Sequence, residues 1–115
     1  MNWRSIRLEL GSTGEFPAGS VSRAFLIRLP LDDVDKVDAA AYRQNPARAT
    51  VQRYWSTEPD QQGVLVPSGQ DWQLLCDDVP GRVLKLNGTP LLLGLGVSVV
   101  EPDGTILPLR IASVK

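Results

Sequence analysis

Ten glycines and nine prolines divide this chain into short apolar segments, and their spacing limits the fold more than any other feature. Proline has no amide hydrogen for a β-ladder and glycine is favoured where the backbone turns sharply, so both residues mark the ends of strands. Short apolar segments recur about every 8 to 12 residues, which is typical of barrels and sandwiches. We therefore predict a mainly β protein, a small barrel or sandwich of about seven or eight short strands.

Alternation of apolar and polar residues places the individual strands. Ile6, Leu8 and Leu10 alternate with charged residues and predict a half-buried first strand. Residues 21–29 predict a second strand, which Pro30 should end because it cannot donate to a ladder. Strand composition recurs at 49–55, 64–66, 72–76 and 82–86, in the run beginning at Leu91, and at 97–101 and 105–113.

Three turns are predicted between these strands. Asn87-Gly88 is the favoured pair of a type I′ turn, because both residues tolerate positive φ. Pro102-Asp103-Gly104 should connect the last two strands as a hairpin. Asp77-Asp78, ahead of Val79-Pro80-Gly81, is interpreted as a turn rather than as a catalytic carboxylate pair.

One short helix is predicted at about 33–44. Val34, Val37 and Ala41 recur at the spacing of one helix face, Asp32 or Asp33 could cap the first turn, and Asn45-Pro46 should end it. With 115 residues and one helical segment, we expect a single β-rich domain over residues 1–115.

Several classes of chemistry are excluded by composition. The chain contains no histidine, which removes Ser-His-Asp and Cys-His catalysis and histidine-bound zinc. Its single cysteine, Cys76, cannot form an intramolecular disulfide and is interpreted as a core residue. We predict no catalytic residue and no cofactor.

A metal site is not predicted either. Asp32, Asp33, Asp35 and Asp38 form the densest group of oxygen ligands, but Val37 occupies a position where an EF-hand needs an oxygen. Aspartates at the start of a helix are also favoured by capping and by the helix dipole. We interpret the group as helix-capping residues.

The expected location is cytoplasmic. The first residues lack the apolar segment of a secretory signal, and a lone cysteine fits a reducing compartment. The most apolar run, residues 91–100, is about half the length that a membrane-spanning helix needs.

The segment from Tyr42 to Trp55 is the candidate binding region. It holds three arginines and three aromatic residues without an acidic residue, and arginines with aromatics can bind phosphates and stack on bases. The candidate contacts are Arg43, Arg48, Arg53 and Tyr54. The alternative is structural: Arg43 compensates the negative charge of the aspartates of its own helix, Arg53 pairs with Glu58, and Trp55 packs in the core. We favour that alternative, since on a strand Trp55 and Tyr54 would face opposite sides.

The run Leu91-Leu92-Leu93-Gly94-Leu95-Gly96-Val97 suggests a subunit interface. A strand points successive side chains to opposite faces, so a run this apolar must be covered on both. Leu91, Leu92, Leu93 and Leu95 are therefore candidates for the contact surface of a homodimer.

Much of the chain also resembles a known family. The order Arg7-x-Glu9-Leu10, Phe16-Pro17-x-Gly19-Ser20, Val51-x-Arg53-x-Trp55 and Arg110-Ile111-x-Ser113-Val114 is similar to a small family of proteobacterial proteins without an assigned activity. The resemblance implies a stand-alone bacterial cytoplasmic protein and carries no functional residue across.

The sequence thus favours a non-catalytic binding or interaction module whose partner is a protein or an anionic ligand. Net charge is −1, so nucleic acid could bind only through a local patch and is less expected. The alternative is a structural subunit that assembles through the leucine run. A hydrolase using distant carboxylates, from among Glu9, Glu15, Glu58 and Glu101, is the third possibility.

Overall fold

Residues 2–76 and 81–115 are described by a computed structural model, and in them eight antiparallel strands close into a barrel. Each strand pairs with the next along the chain, and β8 pairs back with β1. This confirms the predicted fold class and selects the barrel over the sandwich. The strands are β1 (Asn2–Leu10), β2 (Ser20–Leu31), β3 (Thr50–Trp55), β4 (Gln61–Ser68), β5 (Asp71–Cys76), β6 (Arg82–Lys85), β7 (Gly96–Val100) and β8 (Ile106–Val114). The turn predicted at Asp77-Asp78 lies outside the described residues.

The helix is shorter than predicted. Helix α1 spans Ala39–Gln44, followed by a single 3₁₀ turn at Pro46–Arg48. The predicted start at residue 33 is wrong, because the Asp32 carboxylate accepts hydrogen bonds from the backbone of Val34 and Lys36, at 2.9 and 3.0 Å, and holds a turn there. Asp38 caps α1 instead, accepting from the Ala41 N–H at 3.1 Å.

Pro30 lies inside β2 rather than beyond its end. It pairs with Trp3 of β1 on one side, while its carbonyl accepts from Asp38 on the other. The pairing of β2 with β3 reaches only as far as Ile27 and Val51. The missing amide hydrogen of Pro30 therefore faces no strand and breaks no ladder.

The leucine run is the largest departure from the expected strands. Asn87 and Gly88 have φ of 51° and 68°, and the Leu86 carbonyl accepts from the Thr89 N–H, which confirms the predicted turn. That turn opens a loop over residues 89–95, and β7 begins only at Gly96. Residues 91–95 are therefore not a strand, and their side chains do not alternate between two faces.

A single hydrophobic core fills the barrel, and α1 closes one end of it. Tyr42 of α1 meets Trp72 edge-on with ring centroids 4.8 Å apart, and its hydroxyl donates to the Leu65 carbonyl at 3.2 Å. Cys76 is buried in the core, as predicted. In the described part of the chain, no helix is long and apolar enough to cross a membrane.

The opposite end of the barrel is where β2, β4, β6 and β8 begin, and we call it the open end. The core at the helix-closed end is aromatic and aliphatic, whereas the interior at the open end contains charged side chains. The candidate site therefore lies at the open end.

Candidate functional site

Two arginines lie inside the barrel at its open end. On β3, Val51 and Arg53 point inward, and on β6 Arg82 and Leu84 do. Arg53 is 3% exposed and Arg82 is 6% exposed, and they are the two buried charged residues of the described chain. Arginines are rarely buried this completely unless they are paired, so their partners decide what this end can do.

Each buried arginine is paired with one glutamate. Arg53 donates from Nη1 to Glu58 Oε1 at 2.9 Å, and Arg82 donates from Nε to Glu101 Oε2. The Arg53–Glu58 pair confirms the structural interpretation of that arginine. The two glutamates differ in exposure, since the Glu58 side chain is 49% exposed and that of Glu101 is 14% exposed.

The backbone explains this difference. Glu58 follows a turn in which its N–H donates to the Trp55 carbonyl at 2.9 Å, outside any strand. Glu101 follows β7 directly, and its N–H donates to the Thr105 carbonyl at 2.7 Å as the hairpin begins. Arg82 and Glu101 each lie one residue beyond Val83 and Val100, the last pair of β6 with β7. Glu101 is therefore fixed by the neighbouring strands, whereas Glu58 lies on a turn outside them.

Three buried polar atoms at this end have no hydrogen-bond partner among the described residues: Arg53 Nε, Arg82 Nη1 and Gln61 Oε1. Gln61 is directly opposite Arg53 in the pairing of β3 with β4. A buried donor without an acceptor costs about 1 to 3 kcal/mol. Each guanidinium therefore has a buried N–H group that no described residue accepts.

The two buried arginines border a cavity of about 410 Å³ and an adjoining, more open one of about 450 Å³. Arg53, Glu58 and Glu101 line both, and Arg82 lines the second. Cavities of this size hold small molecules or single side chains. The first also contains, on its walls, Glu15, Phe16, Arg23, Trp55 and Leu107.

Two of the arginines that line the first cavity stack on aromatic rings. The Arg53 guanidinium carbon lies 4.3 Å from the centroid of Trp55, and that of Arg23 lies 4.2 Å from the centroid of Phe16. Trp55 in turn packs on Phe25 of the core, with ring centroids 5.7 Å apart, as the structural interpretation predicted. This stacking fixes the guanidinium planes while leaving their edges able to bind.

Acidic side chains outnumber basic ones by one across the two cavities. Arg23, Arg53 and Arg82 face four carboxylates, those of Glu15, Glu58, Glu101 and Asp103. Glu58 and Glu101 are each bonded to an arginine. Among the described residues, no group of three or more Cys, Asp or Glu side chains could hold a metal ion.

Only one of the arginines predicted from the sequence reaches this site. Arg43 is exposed in the last turn of α1, and Arg48 stacks over Trp3 at 4.7 Å, both at the closed end. Tyr54 faces outward, where its hydroxyl donates to Gln52 at 2.6 Å. The four predicted contacts therefore do not form one surface, and only Arg53 lines the cavity.

Sequence analysis missed Arg82, and it named Glu101 only as one of four carboxylates that could serve a hydrolase. A signal for Arg82 was present, because it alternates with Val83 and Lys85 and so shares the face of Leu84. Its pairing with Glu101 depends on the register of β6 against β7 across a long loop, which composition does not reveal.

The leucine run divides into a buried and an exposed part. Leu91 is 1% exposed and belongs to the core, so it cannot lie at an interface. Leu92, Leu93 and Leu95 are 43%, 70% and 39% exposed. Three of the four predicted contact residues thus remain on the surface.

Two aspartates have lowered pKa values. Partial burial would raise the pKa of Asp71, but hydrogen bonds from the Asn87 N–H and the Lys85 ammonium outweigh it and hold that pKa below its ordinary value. Hydrogen bonds from the backbone and the hydroxyl of Thr105 lower the pKa of Asp103, in the turn beside Glu101.

No protein-family model, curated protein or solved structure matches this chain. Its function must therefore be argued from the open end itself.

Proposed function

We propose that the protein is a non-catalytic binding module that takes an anionic group at the open end of its barrel. One observation carries the proposal: Arg53 and Arg82 are buried in adjoining cavities, and each keeps an N–H group without an acceptor among the described residues. A buried guanidinium with a free edge is suited to carboxylate or phosphate recognition. We place this binding in a bacterial cytoplasm, on the support of the lone Cys76 and the resemblance.

Binding is favoured over hydrolysis because the two glutamates nearest the buried arginines are both held in ion pairs. A glycosidase-like or acid–base mechanism needs one carboxyl to give up a proton and another to accept one. Glu58 and Glu101 both face the cavities, but each is engaged by an arginine. Nucleic acid is also less favoured, because Arg43, Arg48 and Arg53 lie at different places in the fold.

Nuclear magnetic resonance of the arginine Nε–H groups tests the proposal directly. Sodium acetate and inorganic phosphate would be added at constant ionic strength, with chloride as the reference anion. We expect the Nε–H signal of Arg53 to shift saturably with at least one of them, and that of exposed Arg43 to stay in place. If neither anion moves the signals of Arg53 or Arg82, the protein does not bind anions at this end.

The exposed leucines support a second candidate, a homodimer formed through the loop before β7. Leu92, Leu93 and Leu95 present apolar side chains within one short loop, whose backbone bonds to Ile111 of β8. A second copy of the chain is the proposed occupant. Light scattering of the wild type and of Leu93→Asp should show a dimer and a monomer, and a wild type that stays monomeric at high concentration would contradict it.

A further inference from the structure

We propose that Glu58 is a stand-in for the ligand: in the free protein its carboxylate occupies the position on Arg53 where the ligand binds. The ligand is a monocarboxylate whose carboxylate displaces that of Glu58. This rests on the proposed anion site and names the chemical class that it accepts. The body of the ligand, next to the carboxylate, is apolar or aromatic.

The Arg53–Glu58 contact has the features of a displaceable pair. Among the described residues, only one oxygen of Glu58 is bonded, and its side chain is half exposed on a turn between β3 and β4. Water at the half-exposed glutamate weakens its attraction to the buried arginine, so a carboxylate that offers both oxygens can compete with it. Glu101 also bonds its arginine through one oxygen, but it is mostly buried and anchored at the start of a hairpin.

The balance of charge favours a monoanion. Glu15, Glu101 and Asp103 remain on the cavity walls when Glu58 moves away. A carboxylate replaces Glu58 charge for charge. A phosphate dianion would bring a second negative charge beside those three groups, and the like charges would repel one another.

The walls next to Arg53 suit an apolar body. Trp55 and Leu107 both line the first cavity, and Phe16 covers it from the loop between β1 and β2. The cavity of about 410 Å³ is large enough for one aromatic ring or one amino-acid side chain. A free small acid and the C-terminal residue of a peptide share this chemistry.

The test compares two matched variants, Glu58→Gln and Glu15→Gln. Both remove one negative charge from the same cavity, but only Glu58 occupies an arginine, because Glu15 has no ion pair among the described residues. Phenylacetate is the probe, phenylacetamide is its uncharged control, and the Arg53 Nε–H signal reports binding. Thermal unfolding of each variant verifies that it is folded.

We expect Glu58→Gln to bind phenylacetate about two- to fivefold more tightly than wild type, which is the range of a half-exposed ion pair. Glu15→Gln should change the affinity less than twofold. Equal tightening in both variants would show a general field effect and overturn the stand-in role. Binding of phenylacetamide as tight as that of phenylacetate would overturn the carboxylate class.

Inorganic phosphate separates this inference from the function on which it rests. If phosphate binds more tightly than phenylacetate, the monocarboxylate class is wrong while the anion site stands. If no anion moves the Arg53 signal, the anion site itself is wrong. A tripeptide ending in phenylalanine identifies the source: tighter binding than phenylacetate indicates a polypeptide C-terminus, and equal or weaker binding a free small acid.

Discussion

At the scale of single residues, the buried ion pairs decide the properties of the open end. Taking two charges out of water costs free energy, and their attraction repays it only while both are present. Arg82 and Glu101 are both mostly buried, so each depends on the other. Arg110 and Glu9 form the contrasting pair, 3.6 Å apart with Arg110 largely in solvent.

We predict that Glu101→Ala lowers the free energy of unfolding by about 3 kcal/mol, because it leaves the Arg82 charge buried without its partner. Arg110→Ala should cost about 0.5 kcal/mol or less. Replacing both partners, as Arg82→Met with Glu101→Leu, should recover most of the loss. Urea denaturation measures all three, and a double variant no more stable than Glu101→Ala would contradict this account of the pair.

Asp71 gives a prediction about pH. Because its folded-state pKa lies below its ordinary value, its ionised form stabilises the fold above that ordinary pKa, and the stabilisation is lost as pH falls through the folded-state pKa. Asp71→Asn keeps the hydrogen bond from Asn87 but cannot titrate. Its melting temperature should fall less steeply than that of wild type from about pH 5 downward. Parallel acid-limb slopes in the two proteins would rule out the effect.

At the scale of elements, the strands were largely predictable and their ends were not. Alternating apolar residues predicted β1 because a barrel buries one face of every strand, and strand composition predicted β5. The start of α1 was misplaced because aspartate favours turns as well as helix caps, and at Asp32 the turn prevailed. Leu91 to Leu95 looked like a strand because composition alone cannot distinguish a strand from an apolar loop whose backbone bonds to β8.

The loop before β7 makes a prediction for its two kinds of leucine. Leu91→Asp places a charge in the core at the closed end, so it should unfold the protein or cost about 4 kcal/mol or more. Leu93→Asp changes an exposed side chain and should alter stability by about 0.5 kcal/mol or less. Circular dichroism during thermal unfolding compares them. Two variants of equal stability would mean that this loop is not built as described.

At the scale of the whole molecule, closure of the barrel creates the site. Arg53 and Glu58 are near each other in sequence, and their pairing was foreseen. Arg82 joins them only because eight strands close on one another, which brings β3, β6 and the β7–β8 hairpin around one opening. Local sequence patterns predict which face a side chain takes, but not which distant strands share an end. For that reason the fold class was predictable while the site was not.

Substitution of Arg53 tests the central claim, that the open end of the barrel is the binding site. Arg53→Met replaces the buried charge with an unbranched apolar side chain. Glu58 loses its partner but is already half exposed, so the protein should fold. Arg43→Met is the matched change in the basic segment at the closed end. Each variant is titrated with phenylacetate in a calorimeter. Arg53→Met should lose at least about tenfold in affinity, the loss typical of a charge-assisted hydrogen bond. The affinity of Arg43→Met should equal that of wild type. Unchanged binding by folded Arg53→Met, or a loss confined to Arg43→Met, would contradict the account.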